Sequence, residues 1–406
     1  MKVAVVVQRY GLEVIGGAES HARLLIGELR KRLPWEFEVF TSCASDYRTW
    51  ANHYPAGSST IEDILVHRYP TRFTRPLTLF SALSRLLFFW LRFVRRGWFI
   101  PIPEFLESIW VKLQGPYCPD LVSELKARQS DFNFVLCFTY LYYPTLAAAT
   151  EISLPILLVP TAHREPPFYF RTVKRLFNRA DVIAANGKPE EDLILSNLPH
   201  ISQKIIPVGV GISFAEASTA SELSPVALYM GRISEGKGIN ELLRFWENGR
   251  IQERYGLTLQ LAGTVEPSVS LNELTQAGVE HIGFVQEDVK FRTLSGASLV
   301  INPSPHESLS LLVLEALFAG TPVLCTERCE VFRYYATEIP LCITYSDAED
   351  FEKKVAEILQ MRKNTSRFGE QQQISRHWVR SHYSWDAVTE KFRNIAQQLT
   401  EGSTSK

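Results

Sequence analysis

The chain has 406 residues, 46% of them hydrophobic and 21% charged, with a formal net charge of −1. That length and apolar content support two or three domains with full cores, and the balanced charge gives no sign of a nucleic-acid partner. Six cysteines, at 43, 118, 137, 325, 329 and 342, form no CxxC pair, so no zinc site is expected and a reduced, cytoplasmic setting fits.

Met1-Lys2 runs directly into Val-Ala-Val-Val-Val, which reads as a first strand over Val3–Gln8 and not as a signal peptide. Gly16-Gly17-Ala18-Glu19 then opens a helix from Ser20 to about Lys31, and a strand follows at Phe37–Thr41. Two glycines after a first strand let the backbone come close to a phosphate or sugar; a plain turn is the more common reason for such a pair. Residues 71–117 place Arg72, Arg75, Arg85, Arg92, Arg95 and Arg96 among many leucines and aromatics. No acid lies between 71 and 103, and the uncharged stretches are too short to span a bilayer. Such a segment reads as interfacial, on an anionic membrane, or as a packed helix with snorkelling arginines. Asp46–Trp50, with Asn52 and Tyr54, and Tyr140–Tyr143 are polar-aromatic clusters suited to an acceptor or to packing.

Apolar strands are expected at Phe134–Phe138, Ile156–Pro160, Asp181–Ala185 and Ile205–Val208. His163 follows the second of these, at a strand's C-terminal edge. After a polar stretch, 215–224, the pattern restarts: strand Val226–Met230, loop Gly231–Gly238, helix to Glu247, then strands at Leu257–Ala262, Val279–Phe284, Leu299–Asn302 and Val323–Cys325. The restart predicts two doubly wound α/β domains with a cleft between them. Within Gly231–Gly238, Arg232 and Lys237 are two cations in a glycine-punctuated loop after a domain's first strand, a phosphate-binding pattern that is not a P-loop. Glu307 and Glu315 stand eight apart around a nearly all-apolar run, read as loop and buried helix with Glu315 two turns down. A lone carboxylate in a buried helix needs a partner, which is either backbone or a ligand's hydroxyls. The helix start offers backbone N–H groups to a diphosphate.

Taken together, Gly16-Gly17-Ala18-Glu19, Gly231-Arg232…Lys237-Gly238 and Glu307…Glu315 resemble the retaining glycosyltransferases of family GT4, over nearly the whole chain. The resemblance implies a GT-B fold: an acceptor-binding domain over 1–210, a nucleotide-sugar domain over 211–380, a helix over 381–400 crossing back to the first domain, and a disordered tail at 401–406. It implies that Arg232 and Lys237 hold the donor diphosphate, that Glu315 binds the ribose hydroxyls, and that Glu307 contacts the donor sugar. It implies that backbone N–H groups of Ser308, Leu309, Ser310 and Leu311 meet the phosphates, that Gly16 and Gly17 let the first loop approach the donor, and that His163 contacts the transferred sugar. Many members carry glycine where Ser308 and Ser310 stand here, so the loop's shape departs from the common pattern. The implied reaction is retaining transfer of a hexose from a nucleotide diphosphate sugar to a glycan or lipid-linked acceptor, as in cell-surface polysaccharide synthesis. No metal and no cofactor are expected, and the setting is cytoplasmic or peripheral at the inner face of the plasma membrane. The rival readings are a nucleotide-sugar epimerase or hydrolase of similar fold and a non-catalytic membrane-peripheral scaffold.

Overall fold

The computed structural model describes residues 1–14, 16–94, 101–213, 223–266, 269 and 279–401. The chain divides into two compact units, Met1–Val210 with Val388–Lys406, and Gly211–Ala387.

The first unit is built on strands β1 (Lys2–Val6), β2 (Glu36–Ser42), β3 (Gly57–Ile61), β4 (Ile64–Tyr69), β5 (Phe134–Phe138), β6 (Ile156–Val159), β7 (Val182–Ala185) and β8 (Ile205–Pro207). They form one sheet in the order β3-β4-β2-β1-β5-β6-β7-β8. Every neighbouring pair is parallel except the β3–β4 hairpin. The central strands are buried on both faces, Val3 to Val6 at 0% exposure, which is why they read as unbroken apolar runs. The β3–β4 hairpin has no such signature. Most of β3 is exposed and polar, Gly-Ser-Ser-Thr, and its turn uses Glu62 and Asp63, both at positive φ, instead of Asn-Gly.

Helices α1 (Gly17–Arg32), α2 (Leu77–Val94), α3 (Glu104–Gln114), α4 (Pro119–Ala127), α5 (Tyr143–Glu151), α6 (Arg171–Arg179) and α7 (Lys188–Asn197) connect these strands. Helix α2 is the longest element in the described part of the basic aromatic segment; Arg95 and Arg96 lie outside the described residues. One face of α2 joins the core through Phe80, Leu83, Leu87, Phe88 and Leu91. The other leaves Leu79, Leu86 and Phe89 exposed at 56%, 54% and 59%. The packed reading thus describes the inward face of this helix, and the outward face is exposed and apolar. No described helix is long and apolar enough to cross a membrane.

The second unit holds β9 (Ser224–Met230), β10 (Thr258–Ala262), β11 (Glu280–Gly283), β12 (Ala297–Asn302), β13 (Val323–Thr326) and β14 (Cys342–Tyr345), all parallel, in the order β11-β10-β9-β12-β13-β14. Its described helices are α8 (Ile239–Asn248), α9 (Ile251–Tyr255), α10 (Glu287–Gly296), α11 (Leu311–Ala319), α12 (Glu330–Glu338), α13 (Ala348–Lys363) and α14 (Thr365–Tyr383). The strand order reverses between β9 and β12. The loops leaving the C-terminal ends of those two strands meet at this switch point, where doubly wound sheets bind ligands. Helix α11 is as buried as its composition demands: Val313, Leu314, Ala316 and Leu317 are at 0% exposure. Its last carbonyls are satisfied from α14, Arg376 donating to Phe318 and Ala319, and Gln372 to Gly320.

The final helix, α15 (Trp385–Glu401), belongs from Val388 onward to the first unit. There Val388, Phe392 and Ile395 are buried, and Lys391 Nζ donates to the carbonyls of Pro207 and Val208 at 3.1 Å. Of the expected tail at 401–406, Glu401 is helical, and 402–406 lie outside the described residues.

Candidate functional site

The loop after β9 is shaped by contacts that leave no room for side chains. Gly238 sits at φ +77°, and a Cβ there would stand 2.4 Å from the carbonyl oxygen of Pro303, so the loops after β9 and β12 touch through this glycine. Tyr229 anchors the same loop by donating its hydroxyl to the Arg232 carbonyl at 2.6 Å. Arg232 is half-exposed and its guanidinium meets Glu266 at 3.3 Å. Lys237 closes a short 3-10 turn, Glu235–Lys237, and its Nζ donates to Oε1 of Glu307 at 2.7 Å. The two residue types singled out in the sequence, the loop cation and the loop carboxylate, are thus an ion pair across the switch point.

Beyond Glu307 the chain is pinned from several sides. Asn302, the last residue of β12, accepts from the Ser304 N–H at 3.1 Å and donates to Ser310 Oγ at 3.0 Å. Tyr335 donates its hydroxyl to the Leu309 carbonyl at 2.9 Å. Ser310 is held at φ +59°, ψ +79°, a left-handed conformation that costs an L-residue about 1–2 kcal/mol. Ser310 thus holds a conformation that glycine adopts without this cost. Ser310 precedes the first turn of α11 without capping it, and the N–H groups of Ser308, Leu309, Ser310 and Leu311 form no hydrogen bond among the described residues. The result is a cluster of open donors at a helix start, beside Lys237.

Glu315 lies closer to that start than expected. Helix α11 begins only at Leu311, so Glu315 is its fifth residue, about one turn down and not two, and Glu307 is in the loop. Its partner is Lys290 of α10, whose Nζ donates to Glu315 Oε1 at 2.6 Å and also approaches Glu287 at 3.2 Å. Burial pushes Glu315 above the usual carboxylate range, and Lys290 only partly offsets this. Burial opposes the Lys290 charge too, but Glu315 and Glu287 outweigh it and its pKa lies above the ordinary lysine value. Nothing in the local sequence of α10 distinguishes Lys290 from a solvated surface lysine, so sequence reasoning missed it.

In the first unit, Gly16 and Gly17 stand at the C-terminal edge of β1. Gly16 has a packing reason: a Cβ there would lie 2.2 Å from Glu19 Oε2. Glu19 and Arg9 form a buried pair, Arg9 Nη2 to Glu19 Oε1 at 2.6 Å, and Arg9 Nη1 donates to the Ser45 carbonyl. A Cβ on Gly17 would meet nothing within 4 Å, so the space beside it is open. His163 lies two strands away on the same edge, in the loop after β6. The neighbouring Ala162 N–H is held by Oε1 of Glu190, whose Oε2 accepts from Asn186 N–H at 2.6 Å. Glu190 is 3% exposed, and burial raises its pKa to about 7. Of the polar-aromatic clusters, Trp50 and Tyr140 are core residues at 1% exposure, while Tyr47 is exposed. The sequence-predicted residues thus gather into two groups: Arg232, Lys237, Glu307–Leu311 and Glu315 in the second unit, Gly16, Gly17 and His163 in the first.

The two Rossmann-like parallel sheets, with a last helix whose residues from Val388 belong to the first unit, define the GT-B fold. Residues 213–374, most of the second unit, match the family model "Glycosyl transferases group 1". An uncharacterized glycosyltransferase of Methanocaldococcus jannaschii, MJ1607, is 29% identical over 161 residues, 35% of this chain and 41% of the relative. Chloroplastic digalactosyldiacylglycerol synthase 1 of Arabidopsis thaliana is 25% identical over 233 residues, 55% of this chain and 27% of the relative. The chain thus spans less than half the length of either. Among solved structures, Anabaena HepE in complex with UDP and glucose superposes with a TM-score of 0.64 at 13% identity, covering 98% of this chain and all of that one.

Proposed function

We propose that this protein is a retaining glycosyltransferase that moves a hexose from a nucleotide diphosphate sugar to a glycan or lipid-linked acceptor. The observation that carries the reading is the pairing of Lys237 with Glu307 beside unengaged helix-start N–H groups at a switch point. In this reading the donor diphosphate takes Lys237 away from Glu307. Lys237, Arg232 and the N–H groups of Ser308 to Leu311 then neutralise the leaving diphosphate, a role that this reading gives to side chains and backbone and not to a metal ion. Glu307, released, turns to the hydroxyls of the transferred sugar, and Glu315 receives the ribose hydroxyls. Gly17, with open space beside it, lets its loop approach the donor, and His163 contacts the transferred sugar. The UDP and glucose named for HepE support a nucleotide-sugar donor. The glycolipid in the name of the Arabidopsis relative supports a lipid-linked acceptor.

A membrane-surface location belongs to the same proposal. The outward face of α2 carries Leu79, Leu86 and Phe89, flanked by Arg85 and Arg92, and the helix has no acidic residue. Apolar insertion plus attraction to anionic lipid is the expected behaviour of such a face. The test of the activity is product analysis with a panel of radiolabelled nucleotide sugars and isolated membranes. Label appearing in a glycan or lipid with its anomeric configuration kept supports the reading. Label released only as free sugar, or isomerised on the nucleotide, points to a hydrolase or epimerase instead.

A further inference from the structure

The first unit contains a groove that the donor chemistry does not use. It has a volume of about 420 Å³ and lies between α2, α3 and the loop that leaves β6. Phe80, Ser81, Ser84, Arg85, Phe88 and Glu165 line it, over a floor of Trp110. The floor is rigid. Trp110 is 2% exposed, donates its indole N–H to Ser84 Oγ at 2.8 Å, and packs against the rings of Phe80, Phe88 and Phe170 at 5.2–6.2 Å between centroids. The polar groups are few and separate. Glu165 receives the Tyr140 hydroxyl on Oε1 at 2.6 Å. Arg85 is exposed and forms no hydrogen bond or ion pair among the described residues.

We propose that this groove is a subsite for the pyranose ring of the acceptor. The proposal rests on the glycosyltransferase reading and adds the place and chemical class of the second substrate. The volume is in the range of small-ligand sites, and apolar walls with a few placed polar groups are their usual lining. An acyl chain alone would desolvate Glu165 and Arg85 without replacing their water. A free anion would meet the Glu165 carboxylate. A pyranose satisfies both kinds of wall: its C–H faces lie on Phe80 and Phe88, and its hydroxyls donate to Glu165 and accept from Arg85. Glu165 N–H also donates to the His163 carbonyl at 2.8 Å, so the groove's wall and His163 share one turn. Helix α2 serves both parts of a lipid-linked sugar, with Phe80, Ser84 and Phe88 along the groove and Leu79, Leu86 and Phe89 on its outward face.

The test is saturation-transfer NMR on the full chain with methyl β-D-glucopyranoside, methyl β-D-galactopyranoside and methyl α-D-mannopyranoside, with glycerol as a hydroxyl-only control. At least one pyranoside should receive saturation on its ring C–H protons, and glycerol should not. Ser81→Trp fills the groove from its exposed rim and should reduce that signal at least fivefold; Phe88→Ala should do the same by removing a wall. UDP affinity, read by calorimetry, should stay within twofold in Ser81→Trp. Absence of pyranoside saturation in the wild type, or an unchanged signal in folded Ser81→Trp, overturns the groove assignment. Failure of the chain to bind any nucleotide diphosphate would overturn the donor reading instead, and the pyranoside signal is read independently of it.

Discussion

Lys290 Nζ lies 2.6 Å from Glu315 Oε1, joining α10 to the first turns of α11 across 25 residues of sequence. The pair explains how a carboxylate survives in a helix that is otherwise apolar. Removing one partner of such a pair leaves the other desolvated and unmatched, which costs more than the pair contributes.

Lys290→Met should therefore destabilise the second unit by about 1–3 kcal/mol, the cost of a charged group left without its hydrogen-bond partner. Lys290→Met with Glu315→Leu should recover most of that loss, because both charges are gone. Denaturant titration of the single and double variants measures the coupling. Equal stability of Lys290→Met and wild type would mean that Glu315 finds enough water to do without Lys290.

The two glutamates should separate in ligand binding. Glu315→Gln should weaken nucleotide diphosphate and nucleotide sugar alike. Glu307→Gln should leave nucleotide diphosphate affinity intact or raise it, since Lys237 is no longer held at 2.7 Å by a competing carboxylate, while turnover falls. Lys237→Ala should lower turnover by roughly a hundredfold, about 3 kcal/mol of lost charge stabilisation. Its effect on folding should stay under about 1 kcal/mol, since the pair is partly solvated. Calorimetry with both ligands, over a panel of nucleobases, decides between roles; equal loss of the nucleotide diphosphate in both glutamate variants would mark the carboxylates as structural.

Glu190 makes the first unit's stability depend on pH with a definite sign. Its pKa is raised from 4.5 to about 7 by burial, so the folded state binds a proton that the unfolded state has lost. Its contribution is fully present below about pH 4.5 and is lost as pH rises through about 7. The stability difference between wild type and Glu190→Gln should therefore fall across that window, by on the order of 1–3 kcal/mol. Urea titrations at intervals from pH 4.5 to 7.5 check this, and a flat difference would show that Glu190 is ionised throughout.

Ser310 at φ +59° predicts an uneven response to substitution. Ser310→Gly removes the left-handed penalty but also the Asn302 contact, so stability should change by less than about 1 kcal/mol. Ser310→Val should cost about 2 kcal/mol or more, because a β-branched residue is a genuine outlier there. Thermal unfolding of both variants measures the contrast.

The outward face of α2 should bind anionic vesicles. Co-sedimentation with phosphatidylglycerol-containing liposomes should be strong at low salt and fall as salt screens Arg85 and Arg92. Leu86→Glu with Phe89→Glu should abolish it with little change in thermal stability, since both side chains are more than half exposed. Undiminished sedimentation of that variant would place the contact elsewhere.

Much of this molecule was legible in one dimension. The buried central strands declare themselves as apolar runs because both faces of a parallel sheet are covered, and helices declare themselves by their spacing. Gly231–Gly238 and the Glu307–Glu315 stretch stood out because a loop after a strand needs glycine and a buried helix rarely tolerates a carboxylate. What stayed hidden was non-local. The exposed polar β3 leaves no apolar pattern. Lys290 looks like any surface lysine until strand order brings α10 against α11. Gly16 owes its lack of a side chain to Glu19 and Arg9, and Ser310 is left-handed because Asn302 and Tyr335 fix the loop around it. Sequence pattern sets where elements begin and which face is apolar, since both follow from the chain's own periodicity. Which charge meets which depends on the order of strands in the sheet, and only the tertiary structure decides that.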